Sequence, residues 1–348
     1  MGNFKLYFQD IHYQRQKPNL FFKGILILSE FFYKNIINFK NLLYEKNILK
    51  EKKVNAYVIC IGNLTTGGVG KTPIVENLAN ELSETKKVTI ISRGYGAKIS
   101  NKNPIVIKSE NKIHFKDGRL CSDEAFQLAK KTKNNVNIII CADRLKAAKF
   151  AINNFKTDII ILDDGFSNRK LKKDKTILVI DSKMRFGNNH LLPYGPLRES
   201  IKEIKRADEI ILVNKADENL NDTISWAKKE FNKPIKICNM IVDKIYNIQT
   251  KAQILKYEKA IAFCAIGQPI QFYNFAKQFY KIVQTITFAD HHKYSKDDIE
   301  ALLTFAKKYN INTFITTQKD ETKLYELIKD IKGYCFNVLS LKSEIKEI

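Results

Sequence analysis

Ala56-Tyr57-Val58-Ile59-Cys60-Ile61, followed by Thr65-Thr66-Gly67-Gly68-Val69-Gly70-Lys71-Thr72 and then Pro73-Ile74-Val75-Glu76-Asn77-Leu78, is the stretch that decides the fold. It reads as an apolar strand, a glycine-rich turn and a helix opening on Lys-Thr. That order lets backbone N–H groups and a helix N-terminus close around phosphate oxygens. Lys71 would reach the terminal phosphates, and Thr72 would offer its hydroxyl to their metal ion. A glycine-rich turn that binds nothing has no need of Gly-Lys-Thr directly after a buried-type strand. The stretch is therefore read as a nucleotide site formed by Thr65, Thr66, Gly67, Gly68, Val69, Gly70, Lys71 and Thr72.

Outward from this loop the pattern alternates between strands and helices. Candidate strands are Tyr57–Ile61, Val88–Ser92, Ile105–Lys108, Val136–Cys141, Asp158–Leu162, Thr176–Asp181 and Glu209–Val213. Alternation of this kind predicts an α/β fold, a parallel sheet with helices on both faces, and places ligands at the carboxyl ends of its strands. Near residue 245 the pattern restarts, with Ala260–Ala265, Val283–Phe288 and Thr313–Thr317 as strands and Ile299–Tyr309 as a helix. The expected organisation is an N-terminal apolar helix within residues 1–45, a phosphate-loop core over 46–245 and a smaller α/β domain over 246–348.

The N-terminal stretch Leu20 to Ile37 is densely apolar but is broken by Lys23, Glu30 and Lys34. A spanning helix needs roughly 18 or more apolar residues with few charges. The stretch therefore suits a helix lying in a membrane interface, with Lys34 and Lys40 near the headgroups, as well as it suits a helix packed on the protein's own core.

Composition bounds the partners. The 348 residues contain 59 Lys and Arg against 37 Asp and Glu, a net charge of +22 that suits nucleic acid, an anionic membrane surface or a phosphorylated substrate. Lysine is spread rather than clustered, and Asn and Ile are also abundant, so biased composition accounts for part of the charge. No helix-turn-helix, aromatic platform or basic cluster supports nucleic acid as a partner. The six cysteines form no C-x-x-C pair and mostly occupy apolar runs, which implies reduced, buried thiols with neither a disulfide framework nor a metal site.

Two more stretches carry chemistry. Ile159-Ile160-Ile161-Leu162-Asp163-Asp164-Gly165-Phe166 is an apolar strand ending in two carboxylates, which in a phosphoryl-transfer enzyme hold or orient magnesium. Asn188 to Glu199 is rich in turn formers and ends in Arg198-Glu199, able to hold phosphoryl oxygens and to complete a magnesium shell.

Together the ordered motifs Gly62 to Pro73, Arg93-Gly94-Tyr95-Gly96, Asp123-Glu124, Asp163-Asp164-Gly165-Phe166 and Leu191 to Glu199 resemble the tetraacyldisaccharide 4′-kinase family, over nearly the whole chain. The resemblance implies transfer of the γ-phosphoryl of ATP, with Mg2+, to the 4′-hydroxyl of a tetraacylated glucosamine disaccharide 1-phosphate. It places the work at the cytoplasmic face of the bacterial inner membrane and implies no obligate protein partner. By the same resemblance Asp123 is the base for the sugar hydroxyl and His291 its partner from the second domain. Lys71 and Arg198 would serve the transferring phosphoryl group, and Thr72, Asp163, Asp164 and Glu199 the metal. The chain departs from the family's pattern at Ser167-Asn168, where Gln-His is usual, at Cys121-Ser122, where a glycine is usual, and at Ala125, where a proline is usual.

Two rival functions share parts of this pattern. Gly67-Gly68 resembles the deviant loop of partitioning-type ATPases, but Thr66 stands where those switches carry a lysine that reaches across a dimer. Asn214-Lys215-Ala216-Asp217 matches the N-K-x-D pattern of guanine readers at a suitable strand end.

Overall fold

The structure, a computed structural model, describes residues 7, 8, 10–100, 102–115, 118–215, 219–254, 258–267, 269–289 and 292–347. Ala216, Asp217 and His291, each named above, lie outside the described residues.

Thirteen strands form one mixed sheet in the order β11-β10-β12-β13-β9-β8-β7-β1-β6-β2-β5-β3-β4. The first half comprises β1 (Tyr57–Gly62), β2 (Val88–Ser92), β3 (Ile105–Ser109), β4 (Lys112–Ile113), β5 (Asn137–Ile140), β6 (Ile159–Asp163), β7 (Lys175–Asp181) and β8 (Glu209–Asn214). In it β5, β2, β6, β1, β7 and β8 run parallel, while β3 and β4 add an antiparallel margin. The parallel strands are apolar along almost their whole length because both faces are covered. Covering helices are α2 (Lys71–Leu82), α3 (Asp123–Lys131), α4 (Arg144–Phe155) and α5 (Asn221–Glu230), preceded in the chain by α1 (Leu20–Glu45).

The second half comprises β9 (Ile235–Asn247), β10 (Lys259–Cys264), β11 (Lys281–Thr287), β12 (Thr313–Thr317) and β13 (Cys335–Glu347), with α6 (Pro269–Phe279), α7 (Lys296–Lys308) and α8 (Gln318–Ile328). Strand β9 runs parallel to β8 on one side and antiparallel to β13 on the other, so hydrogen bonding is continuous from one half of the sheet to the other. The restart of pattern near residue 245 falls at the end of β9. Phe263, Phe314 and Phe336 fill the core of this half, the last two stacked with centroids 4.8 Å apart.

Helix α1 is amphipathic in an unusual sense. Leu26 is buried, but the specific inward contacts are polar: Glu30 accepts from the Leu191 N–H at 2.7 Å and faces the His190 ring at 2.9 Å, the Tyr33 hydroxyl donates to the Arg198 carbonyl at 2.9 Å, and Asn41 is buried. Leu20, Phe21, Leu28, Phe31, Phe32, Ile36 and Phe39 face outward, each more than half exposed. The reading of this stretch as a helix packed into the protein's own core does not describe it, since the apolar face is turned away from the body. No helix among the described residues is long and apolar enough to cross a membrane.

Close packing behind the loop is specified by glycine. A Cβ added at Gly62 would sit 2.7 Å from the Phe166 Cβ and 2.9 Å from the Phe166 backbone nitrogen, and Phe166 is itself fully buried. Backbone cannot yield as a flexible side chain would. Gly62→Ala should cost about 1–3 kcal/mol by overpacking, read as a thermal midpoint several degrees lower in calorimetry; an unchanged midpoint would show that β1 and the Phe166 turn can separate freely.

Candidate active site

The carboxyl ends of β1, β6 and β7 converge on the loop between β1 and α2. Register fixes their relative heights: Ile61 pairs with Asp163 and Gly62 with Leu178, so Asp163 and Asp164 sit where β1 gives way to the loop. Gly70 caps α2 with φ of 96°, a left-handed conformation that glycine adopts without strain, and a Cβ there would press on Val213 at 3.0 Å. The loop's first half is held as a strand-like pairing with the Leu191–Glu199 segment. Thr65 bridges Leu197, the Thr66 N–H donates to the Pro196 carbonyl at 2.7 Å, and the Arg198 N–H donates to the Leu64 carbonyl at 2.7 Å. Its second half is held by Lys215, whose ammonium donates to the Gly68 carbonyl at 2.5 Å and to Asp181 at 2.7 Å. Thr65 and Val69 are buried, Gly67 and Gly68 are exposed, and the Tyr13 hydroxyl donates to the Thr66 carbonyl at 3.1 Å.

Within this frame Arg198 is the hub. Its guanidinium donates to both oxygens of Asp164 at 2.8 Å each, to the Asn63 carbonyl at 2.7 Å and to the Asn63 side-chain oxygen at 2.6 Å. Lys71 donates to the same Asn63 oxygen at 2.8 Å and lies 3.6 Å from Asp164. Burial works against ionising Asp164, but the Lys71 charge and the Arg198 fork outweigh it and hold the carboxyl well below its ordinary range. Its neighbour is pushed the other way. Asp163 is fully buried, and burial, with the nearby charges of Glu124 and Asp164, raises its pKa to about 7 against the opposing pull of Lys71 and Arg144.

Glu199 is buried and forms an ion pair with Arg206, whose other partner is Glu203 at 2.8 Å. The second Glu199 oxygen, Oε1, is buried without a hydrogen-bond partner. No three His, Cys, Asp or Glu side chains among the described residues form a metal cage. Magnesium is ordinarily bound through one or two carboxylates together with substrate phosphates and water. A hydroxyl at Thr72, a buried carboxylate at Asp163 destabilised by like charges and an orphaned oxygen on Glu199 fit that hard-cation chemistry.

Asp123 opens α3, and its Oδ2 lies 3.4 Å from the Lys323 ammonium on α8. His292 is engaged away from Asp123, facing Asp298 at 2.9 Å in the capping box of α7 and stacking on Phe288. His291, the residue expected to partner Asp123, lies outside the described residues.

Several members of this arrangement were not assigned roles from the sequence. Asn63 lies between β1 and the loop, and its position directly before Leu64-Thr65 is the available signal. Asp181 ends β7 and Lys215 follows β8, and only the sheet order makes these two strands neighbours. Lys215 had been read only within an N-K-x-D pattern, whereas its ammonium supports the loop. Arg206 and Lys323 had no motif to announce them.

The backbone before Asp123 is strained. Ser122 has φ of 108° and ψ of 126° and makes no side-chain cap bond. A non-glycine residue so placed costs on the order of 1–3 kcal/mol. Ser122→Gly should therefore raise the unfolding free energy by about 1 kcal/mol or more in urea titration, and an unchanged or lower value would refute the strain. Arg198→Lys, which cannot fork onto a carboxylate, should lower stability by about 2–3 kcal/mol by leaving Asp164 half-partnered; chemical denaturation measures it.

Comparison with known proteins agrees with this geometry. The family model described as tetraacyldisaccharide-1-P 4′-kinase matches residues 22–347. A tetraacyldisaccharide 4′-kinase of Halothermothrix orenii is 33% identical over 308 residues, covering 83% of this chain and 79% of that protein. One of Francisella tularensis subsp. tularensis is 34% identical over 325 residues, covering 90% and 94%. Among solved structures, LpxK from Aquifex aeolicus, described as an "apo" form in complex with ATP, superposes with a TM-score of 0.73 at 30% identity, covering 93% of this chain and 95% of that one. With a loop, an acidic strand end and an arginine-bearing segment assembled as above, and a family match spanning all of them, this chain belongs to the tetraacyldisaccharide-1-P 4′-kinase family.

Proposed function

We propose that this chain transfers the γ-phosphoryl group of ATP to the 4′-hydroxyl of tetraacyldisaccharide 1-phosphate, working on the cytoplasmic face of the bacterial inner membrane. The observation that carries the reading is the Arg198 fork, which joins the phosphate loop, the acidic end of β6 and the Leu191–Glu199 segment into one phosphate-facing site. Family membership supplies the acceptor.

The loop's N–H groups and the start of α2 bind the phosphates, and Lys71, released from Asn63, follows the γ-phosphoryl as it moves. Thr72 and Asp163 would hold Mg2+, with Glu199 turned to it from Arg206 and Asp164 acting mainly as the anchor of Arg198. The ion, when bound, neutralises charge developing on the phosphates. Asp123 accepts the proton of the sugar hydroxyl, and His291 draws that proton onward. An ordinary aspartate has a pKa of about 4, so it acts as base late, once bond formation has acidified the hydroxyl. The halves of the chain on either side of residue 246 form the walls of the cleft, and their approach excludes water from the reacting groups.

Membrane association is carried by α1. Its outward apolar face is a contiguous patch of the kind that marks a membrane or protein contact. Each large side chain fully buried in the interface contributes about 1.5–3 kcal/mol, and each nearby Lys about 1 kcal/mol against anionic lipid. The switch-type ATPase and GTPase readings have no structural observation in their favour.

Full-length protein in detergent with the lipid disaccharide should transfer labelled phosphate from ATP, and folded protein that leaves the lipid unlabelled sinks the reading. Asp123→Ala should lower kcat at least a hundredfold while leaving the Kd for ATP within threefold; surviving turnover would remove Asp123 from the base role. Removing residues 1–38 should shift the protein off anionic vesicles but would also delete Glu30 and Tyr33. The cleaner variant is Phe31→Glu with Phe32→Glu, expected to reduce the vesicle-bound fraction several-fold in flotation with no change in thermal midpoint. An unchanged bound fraction would disconnect this face from the membrane.

A further inference from the structure

The ammonium of Lys323 stands out among the buried charges of the second half of the sheet. Its side chain is only 4% exposed, and its Nζ has no hydrogen-bond partner. A buried ammonium depends on opposite charges close to it, and α8 itself carries two acidic residues beside Lys323. Their hydrogen bonds go elsewhere, although the Asp320 charge still interacts with Lys323. Asp320 accepts from the Thr317 hydroxyl at 2.7 Å and the Ala265 N–H at 3.2 Å, and Glu321 accepts from the Tyr246 hydroxyl and the Lys251 ammonium at 2.7 Å each. Leu324 and Ile328 lock the same helix into its core, so Lys323 is held rigidly. The carboxylate it approaches is Asp123, at 3.4 Å, across the boundary between the two halves.

Charged groups elsewhere on the described elements packed on α3 have partners of their own. Glu76 of α2 pairs with Lys131, and Lys108 of β3 donates to the carbonyls of Thr132 and Lys133, all at the far end of α3. Lys133 pairs with Glu84. On the first turn of α3 itself, Glu124 faces Asp163. The start of α3 adds its own partial positive charge.

We propose that Lys323 is a positioning residue for Asp123, holding the carboxylate ionised and oriented from the opposite wall of the cleft. The inference rests on the reading of Asp123 as the base and adds what makes it ready. In the reaction the acceptor oxygen forms its bond to γ-phosphorus as the β–γ bridging P–O bond breaks, ADP leaves with the electron pair, and the hydroxyl proton passes to Asp123. A neutral, protonated Asp123 no longer attracts Lys323. Proton acceptance thus weakens the contact between the walls, and opening returns the proton to solvent.

Removing an opposite charge at this distance should raise the Asp123 pKa by about one unit or more. In Lys323→Met, which keeps the aliphatic stem, the acidic limb of the kcat/KM profile for the lipid should move up by about one pH unit. The kcat at pH 7 should fall at least tenfold, with the KM for ATP within threefold, and Lys323→Arg should restore the limb. The same shift should appear without lipid or turnover, as the midpoint of the Asp123 carboxyl resonance in 13C-labelled full-length protein. Should Lys323→Met fail to fold, Lys323→Gln carries the same readouts. An unmoved limb and an unmoved carboxyl midpoint would overturn the proposal even where Asp123→Asn abolishes turnover. Turnover surviving in Asp123→Asn would instead overturn the base assignment, and the proposal with it.

Discussion

The Arg198 fork is the interaction on which the site depends. One planar guanidinium closes three segments that the chain reaches at very different times: Asn63 at the exit of β1, Asp164 at the end of β6, and its own loop after β7. A lysine could satisfy one of these partners but not the parallel pair of bonds to Asp164 together with two acceptors on Asn63. The fork also sets the charge state it needs, since it keeps Asp164 ionised despite burial. Lys71 then shares both partners, so the lysine of the loop is held by the same groups as Arg198.

That hub is tied to the surface helix. The Tyr33 hydroxyl holds the carbonyl of Arg198 itself, and Glu30 holds the N–H of Leu191 and the ring of His190 at the other end of the same segment. Lys40 donates to the Ser167 carbonyl, just beyond the acidic strand end. Helix α1 therefore uses polar side chains inward, as fasteners for the loop that carries Arg198, and leaves most of its large apolar side chains outward, Leu26 being the buried exception. The inversion leaves an exposed apolar face of the kind that marks contact with a membrane or another protein.

The parallel half of the fold was legible because its strands are short apolar runs separated by helical periods, and Val88–Ser92 and Thr313–Thr317 were placed to the residue. Strands β9 and β13 were not legible. Each is 13 residues long; β9 mixes Lys, Asn and Asp with apolar residues and β13 mixes Asn, Ser, Lys and Glu, without a clean alternation of buried and exposed positions. What makes them strands is their antiparallel pairing with each other across about a hundred residues, which no local pattern records. The site divides in the same way. Its contiguous parts, Thr65 to Thr72 and Asp163-Asp164, carry a spacing that states their chemistry. Asn63, Lys215, Arg206 and Lys323 act through partners supplied by the sheet order, so their roles emerge only when the strands are in place.

Asp163 and Asp164 show how far such context reaches. Adjacent in sequence and identical in chemistry, they are driven in opposite directions, one up to about 7 by burial beside other carboxylates and the other down by Lys71 and Arg198. Two carboxyl groups with divergent proton affinities in one site are suited to different tasks. The one already satisfied by a bidentate cation gains little from a second and serves as structure. On the proposed reading, the one destabilised as an anion is the one that a divalent ion would relieve. The backbone produces the split: Asp163 is the last residue of β6, sealed beneath the loop, while Asp164 has φ of 57° and turns out of the strand toward Arg198.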